Sequence, residues 1–464
     1  MHHGWRRPRR SRLPDAAAAA NTVVESPTGH PVGLFAVTGA RYARKQLGNS
    51  AQCCISTMTR HQPVASRRNL LRFLGVATPA GVLASTGVLA STANAYTDTA
   101  GQTTTGPIPE DLRPGGAYDR FVAQLAAQDK FSGTVLLSHR GRTVLSRAYG
   151  MADKELSVPN RTDTIFALAS ASKPFTALAI LQLAQQGKLD CYGTLGTYLP
   201  GFPAAIADTV TIHHLLTHTS GMGDLLNNQE FLEKVGTWAS ADEVTTELVR
   251  IIQKQPLEFA PGTGSRYSNS GYDTLGAIVA AVSGQSFYDY VREHIFGIAG
   301  MARTDFYTRQ QWLTDQRIAH PYALNPSGQR IDAVRAGEGA ARMFIGTGGG
   351  NAFSTTSDLV KFAHALQDGR LLDSAYTELF MTAKLPMRPR GAAVPGVRSF
   401  MAYGATAPIV NNHRLLTHGG GAAGESTNWT IYRDAHWCGV ILSNYDQIDL
   451  TAIIDKERAP ICGS

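Results

Sequence analysis

Cysteine is scarce in this chain: five in 464 residues, at 53, 54, 191, 438 and 462, and none at metal-ligand spacing. His214 and His218 stand four apart, but no glutamate lies between them and no third ligand is evident, so a zinc site is not expected. No G-x-S-x-G occurs, which argues against the α/β-hydrolase route to an esterase. Gly346-Thr-Gly-Gly-Gly350 lacks the lysine and hydroxyl residue of a phosphate loop and reads as a tight turn. No internal repeat is visible. An excess of one charge is also missing from most of the chain. Residues 1–95 hold 12 Lys/Arg against 2 Asp/Glu, which leaves 31 basic and 34 acidic residues in the remainder. The basic character belongs to the leader, so overall charge gives no reason to expect a nucleic-acid partner.

The leader carries its own pattern. Ser66-Arg-Arg-Asn-Leu-Leu-Arg72 precedes a moderately apolar run to about Leu89, and Ala93-Asn-Ala95 offers a small-x-small cleavage site. This is the pattern of a twin-arginine export signal. Pro79 and several Ser, Thr and Gly interrupt the run, so a stable membrane anchor is not expected, and no cysteine follows the cleavage site to take a lipid. Met58 would place the arginine pair near a start. The expected organisation is therefore an over-extended leader at 1–57, a signal peptide at 58–95, a Thr/Gly/Pro-rich lead-in at 96–111, one domain at 112–450 and a tail at 451–464. The expected location is secreted, periplasmic or on the cell-wall side. In such an oxidising compartment Cys438 and Cys462 either pair or remain free thiols.

What is present is a serine three residues before a lysine. Ser170-Ala-Ser-Lys173 lies between a strand-like approach at Phe166 and a helical pattern that Gly187 closes. That spacing puts hydroxyl and amine on one helix face. A serine hydroxyl needs a neighbouring base to become a nucleophile, and an amine can serve. The helix N-terminus favours the negative charge that develops in acyl transfer. Two further pieces follow in order. Tyr267-Ser-Asn269 lies within Pro261-Gly-Thr-Gly-Ser-Arg-Tyr-Ser-Asn-Ser-Gly-Tyr272, and His418-Gly-Gly420 lies in a strand pattern near the C-terminus.

These three motifs resemble those of the serine β-lactamase and D-alanyl-D-alanine carboxypeptidase superfamily, in the branch of class C β-lactamases, family VIII esterases and D-aminopeptidases. Phe131-Ser-Gly-Thr-Val-Leu-Leu137, Thr211-Ile-His-His-Leu-Leu-Thr-His-Thr-Ser-Gly221, Ser354-Thr-Thr-Ser-Asp-Leu359 and Leu442-Ser-Asn444 extend the resemblance over roughly 112–450. It implies Ser170 as acylated nucleophile, with Lys173 and Tyr267 moving protons. It implies Asn269 and His418 as substrate contacts, with Gly420 keeping the strand edge open. The N–H groups of Ser170 and Gly421 would form the oxyanion hole. No metal or cofactor is implied, and the substrate would be a small ester, a D-peptide or a β-lactam. His418 replaces the lysine of many members. An imidazole with pKa near ~6.5 is mostly neutral at pH 7, so a substrate carboxylate would lack a permanent cation. That favours a carboxylesterase or D-peptidase-like enzyme over a β-lactamase; a ligand-binding relative without turnover is the remaining alternative. The oligomeric state is not encoded in any recognisable pattern.

The expected fold is α+β, an antiparallel sheet flanked by helices with an inserted, mostly helical region from about 190 to 350. Strands are expected at Phe131–Ser138, Thr143–Tyr149, Arg414–His418, Asn428–Arg433 and Trp437–Ser443. Helices are expected at Thr211–His218, Tyr272–Val282 and Ser357–Leu366. Strands from opposite ends of the chain must then meet in one sheet.

Overall fold

The computed structural model of the protein describes residues 107–388 and 394–463. The arginine pair, the cleavage site, Met58, Cys53 and Cys54 lie outside them. Five long strands dominate: β1 (Gly133–His139), β2 (Arg142–Tyr149), β3 (His413–Ala422), β4 (Glu425–Tyr432) and β5 (Trp437–Ser443). With two edge strands, Val397–Arg398 and Ile409–Val410, they form a seven-stranded antiparallel sheet. Its order from the short edge is β3, β4, β5, β1, β2. The chain ends do meet, with Gly133 opposite Ser443 and His139 opposite Trp437.

Alternation along the strands supplies two cores. Leu136, Trp429, Ile431, Val440 and Leu442 face one side, with Phe175 and Leu178. Val135, Leu137, Tyr432, Trp437 and Ile441 face the other, with Tyr118 and Val122. Because both faces are covered, β4 and β5 are buried at every residue. Helix α1 (Ala117–Ala127) lies on the second face. Helix α2 (Lys173–Gln185) is buried all round, from Lys173 to Ala184, as a central helix must be. Its neighbour α3 (Asn269–Ser283) starts at a Ser268 cap and ends at Gly284, whose φ of 74° suits a residue without a Cβ. Helix α4 (Thr356–Gln367) completes the layer. The insertion is helical and loop-rich, with one hairpin at Tyr322–Leu324 and Arg330–Asp332.

One expectation changes, and one open alternative closes. Most of the segment set apart as a tail, 451–464, is helix α5 (Leu450–Cys462), which buries Ile453, Glu457 and Cys462. Glu457 accepts from the Tyr432 hydroxyl at 2.8 Å. Cys438 and Cys462 are free thiols. Cys438 belongs to the first core and Cys462 to the second, so the sheet separates them.

Burial leaves two glutamates with unusual protonation. Burial, with Asp446 nearby, pushes Glu425 up to about 8. Burial likewise pushes Glu457 up to about 7. Both ordinarily titrate at 4.5. Between that value and the raised ones, the unfolded chain has lost protons that the folded chain keeps. Stability therefore falls as pH rises through this window and is fully retained below it. Glu425→Gln should stabilise the protein at pH 8.5 relative to pH 4.5 by about 4 kcal/mol. Urea unfolding at the two pH values checks this, and an equal effect at both would refute it.

Candidate active site

Ser170 sits on a clamped turn. Ala169–Ser172 is a single 3-10 turn leading into α2, with Pro174 in the first turn of that helix. Ala169 has a φ of 46°, uncommon for a residue with a Cβ. Its carbonyl accepts from Asn351 N–H at 3.0 Å and from the Ser172 hydroxyl at 2.7 Å. From the sheet, Thr427 Oγ1 donates to Leu168 O at 2.9 Å and Trp429 Nε1 to Ala171 O at 3.0 Å. These bonds over-determine the turn and hold the local strain. Within the turn the donors begin at Ala171, which bonds Leu168 O at 3.0 Å, and the Ser170 N–H stays out of that ladder.

Lys173 Nζ lies 3.1 Å from Ser170 Oγ. It also donates to Asn269 Oδ1 at 2.7 Å and to the carbonyl of Gly349. A tetrahedral amine bonded through one position thus has its other three directed at named oxygens. The glycine turn earns its composition here. A Cβ on Gly348 would lie 2.5 Å from Tyr272 O, and one on Gly349 would lie 2.6 Å from Asp273 Oδ1. Asp273 accepts from Gly349 N–H at 2.9 Å and from Thr347 Oγ1 at 2.6 Å. Burial raises Asp273 to about 6, against the pull of those bonds and of Lys173.

Strand β3 supplies the opposite wall. Thr417 exchanges both backbone bonds with Thr406 across its outer edge, at 2.9 Å each. Antiparallel alternation turns the N–H groups of Gly419 and Gly421 to that same edge. A Cβ on Gly420 would lie 2.0 Å from Leu168 O, so the strand rests directly on the nucleophile's turn. His418 Nδ1 lies 2.7 Å from Gly419 O. Burial, then Lys173, pushes its imidazole down to about 4, so it is uncharged at neutral pH.

The Tyr267 phenol is buried and has no hydrogen-bond partner among the described residues. It makes no bond to Ser170; instead Lys173 Nζ lies 4.8 Å from its ring centre. His218 packs under that ring at 4.4 Å between centroids. Its Nδ1 accepts from Ser268 N–H at 3.3 Å, and burial followed by Lys173 holds it well below its usual range. Asn269 donates from N and Nδ2 to Asp224 Oδ2 at 3.2 and 2.9 Å. With Oδ1 bonded to Lys173, one Nδ2 hydrogen remains for a substrate, which narrows the contact expected of this residue. Ser170, Lys173, Tyr267, Asn269, His418, Gly420 and Gly421 thus converge. Asp224 and Asp273 join them without having been singled out, and so does His218, which the sequence offered only as half of a histidine pair. Of the two aspartates only Asp273 had a local signal, one helical turn after Asn269. His214 lies outside this group: its Nδ1 accepts from Thr211 N–H at 3.2 Å.

The arrangement is suited to transferring a serine proton to an amine while backbone N–H groups await an oxyanion. Residues 118–459 match the family model described as Beta-lactamase. The chain is 31% identical over 341 residues to penicillin-binding protein 4* of Bacillus subtilis, covering 70% of each. It is 35% identical over 214 residues to esterase EstB of Burkholderia gladioli, covering 44% of this chain and 53% of that one. Among solved structures, a penicillin-binding protein from Bacillus halodurans superposes with a TM-score of 0.63 at 25% identity, over 73% of this chain and 98% of that one. The D-amino acid amidase of Ochrobactrum anthropi SV3 shares the fold, with a TM-score of 0.59 at 21% identity over 74% and 98%.

Proposed function

Since this chain belongs to the beta-lactamase family of serine hydrolases, we propose that it hydrolyses a small ester or amide through an acyl-enzyme on Ser170. The observation that carries this reading is the 3.1 Å contact of Lys173 Nζ with Ser170 Oγ on a strained turn. The substrate carbonyl lies between Ser170 and the β3 edge, with the N–H groups of Ser170 and Gly421 on its oxygen. Lys173 takes the hydroxyl proton as the Ser170 Oγ–carbon bond forms. The bond to the leaving group then breaks, and the leaving group receives a proton. The Tyr267 hydroxyl is free to hand that proton on, because no protein acceptor holds it. Water then cleaves the acyl-enzyme by the same steps in reverse.

The uncharged His418 supports acyl donors without a carboxylate, which favours carboxylesters and amides lacking a terminal carboxylate over β-lactams. The second reading, acylation by a penicillin with or without turnover, is favoured by the likeness to penicillin-binding protein 4*. Residues 96–464 should be treated with a fluorescent fluorophosphonate, a fluorescent penicillin, a p-nitrophenyl ester and a D-alanyl peptide. Fluorophosphonate labelling with ester turnover is expected. Penicillin labelling without ester turnover would favour the second reading, and no labelling of folded protein by either probe would remove the enzyme. The proposal extends to export by the twin-arginine route, supported by the leader's pattern, and Arg67→Lys with Arg68→Lys should keep the protein inside the cell.

A further inference from the structure

We infer that Asp224 is a positioning residue that fixes the orientation of the Asn269 amide and thereby aims the Lys173 amine at Ser170; this rests on the hydrolase reading above. The two ends of an asparagine amide have nearly the same shape, and what lies at one end decides which way it faces. An ionised carboxylate only accepts. With Asp224 Oδ2 at 2.9 Å, only Nδ2 can face it, so Oδ1 must face Lys173. The same carboxylate oxygen accepts from Asn269 N–H at 3.2 Å, which ties the side chain's position to the first residue of α3. The second oxygen, Oδ1, accepts from Leu226 N–H at 3.0 Å and caps a short 3-10 turn. Both oxygens are therefore committed, and the carboxylate cannot rotate away.

The consequence falls on the amine. Asn269 Oδ1 and Gly349 O are acceptors that offer no hydrogen. In the form that can take the serine proton, the amine has two hydrogens and one lone pair. With both hydrogens drawn to those acceptors, the lone pair is left at the remaining tetrahedral position, toward Ser170 Oγ at 3.1 Å. A reversed amide would point an N–H at the amine and compete for that lone pair. Asp224 hydrogen-bonds to neither Ser170 nor Lys173, so its effect on the amine's orientation should pass through Asn269.

A double-mutant cycle on the full chain separates this role from a structural one. Asp224→Asn keeps a good capping residue but replaces one acceptor oxygen by a donor. It should lower kcat for a p-nitrophenyl ester about 10-fold or more, with KM within about twofold, since orientation near the reacting atoms sets kcat. Phosphonylation of Ser170 by a fluorophosphonate, with loss of fluoride, should slow in parallel. In an Asn269→Ala background the same change should cost less than about twofold. The Asn269 side-chain N–H signal, followed by NMR, should exchange with water at least about 10-fold faster in Asp224→Asn. If that variant does not fold by thermal melting, Asp224→Ser, which retains a capping oxygen, takes its place with the same expectations. An equal kcat loss in both backgrounds, or no loss in the wild-type background, overturns the inference. If the wild type shows neither labelling nor turnover, the hydrolase reading fails; unchanged exchange of the Asn269 amide overturns the positioning role separately.

Discussion

Replacing Ser170 by alanine is expected to cut ester turnover by at least about 1,000-fold while leaving the fold intact. The turn Ala169–Ser172 does not depend on the Ser170 hydroxyl. Its anchors are the bonds to Leu168, Ala169 and Ala171 carbonyls described above. Thermal melting should therefore agree between the two proteins within a few degrees. The neighbouring hydroxyl cannot take over. Ser172 is buried, and its Oγ donates to Ala169 O at 2.7 Å while accepting from Ala352 N–H at 3.4 Å. Ser172→Ala should accordingly lower stability more than acylation rate. Fluorophosphonate labelling of wild type and both variants measures this. Labelling that survives in Ser170→Ala would move the nucleophile elsewhere.

The second large effect belongs to Gly420. An added Cβ there meets Leu168 O at 2.0 Å, Thr427 Oγ1 at 2.5 Å and Ala171 N at 3.0 Å. Two of the three are backbone atoms of the nucleophile's own turn and cannot step aside as a side chain end would. Strand β3 must withdraw from the turn, and the Gly421 N–H goes with it. A shift of about 1 Å between nucleophile and oxyanion donor costs about 100-fold in rate, and overpacking costs about 1–3 kcal/mol. Gly420→Ala should show both losses, in kcat/KM and in urea unfolding. Gly421→Ala is the contrast: its Cβ would have only Glu425 O within reach, at 3.9 Å, and stability should barely change. A Gly420→Ala enzyme as fast and stable as wild type would refute the contact.

Much of this was legible in the sequence because it depends on short spacings. The Ser170–Lys173 pair needs only one helical turn, and Tyr267 and Asn269 flank a helix cap. The five long strands announce themselves by apolar runs, and their meeting follows from having pairs at both ends. Asp224 was not legible because it lies in a loop and acquires its meaning only when Asn269 arrives from elsewhere, and His218, visible as half of a histidine pair, finds its place only when Tyr267 packs over it. Helix α5 was hidden by its charges and Pro460: Glu457, polar in the sequence, is on its buried side. Nor could the sequence tell that Cys438 and Cys462 feed different faces, since strand parity decides it.

The order of strands also sets a timetable. Ser170 and Lys173 leave the ribosome about 250 residues before Gly421, a delay of roughly 10–50 seconds at ordinary elongation rates. Through that interval the hairpin of β1 and β2 lacks its partner β5, because the strand that closes the sheet is among the last synthesised. Such long-range pairing slows folding. It also means that a chain ending before β3 carries Ser170 without that strand beside it, so that labelling by a probe would report not merely the presence of Ser170 but the arrival of the late strands that flank it.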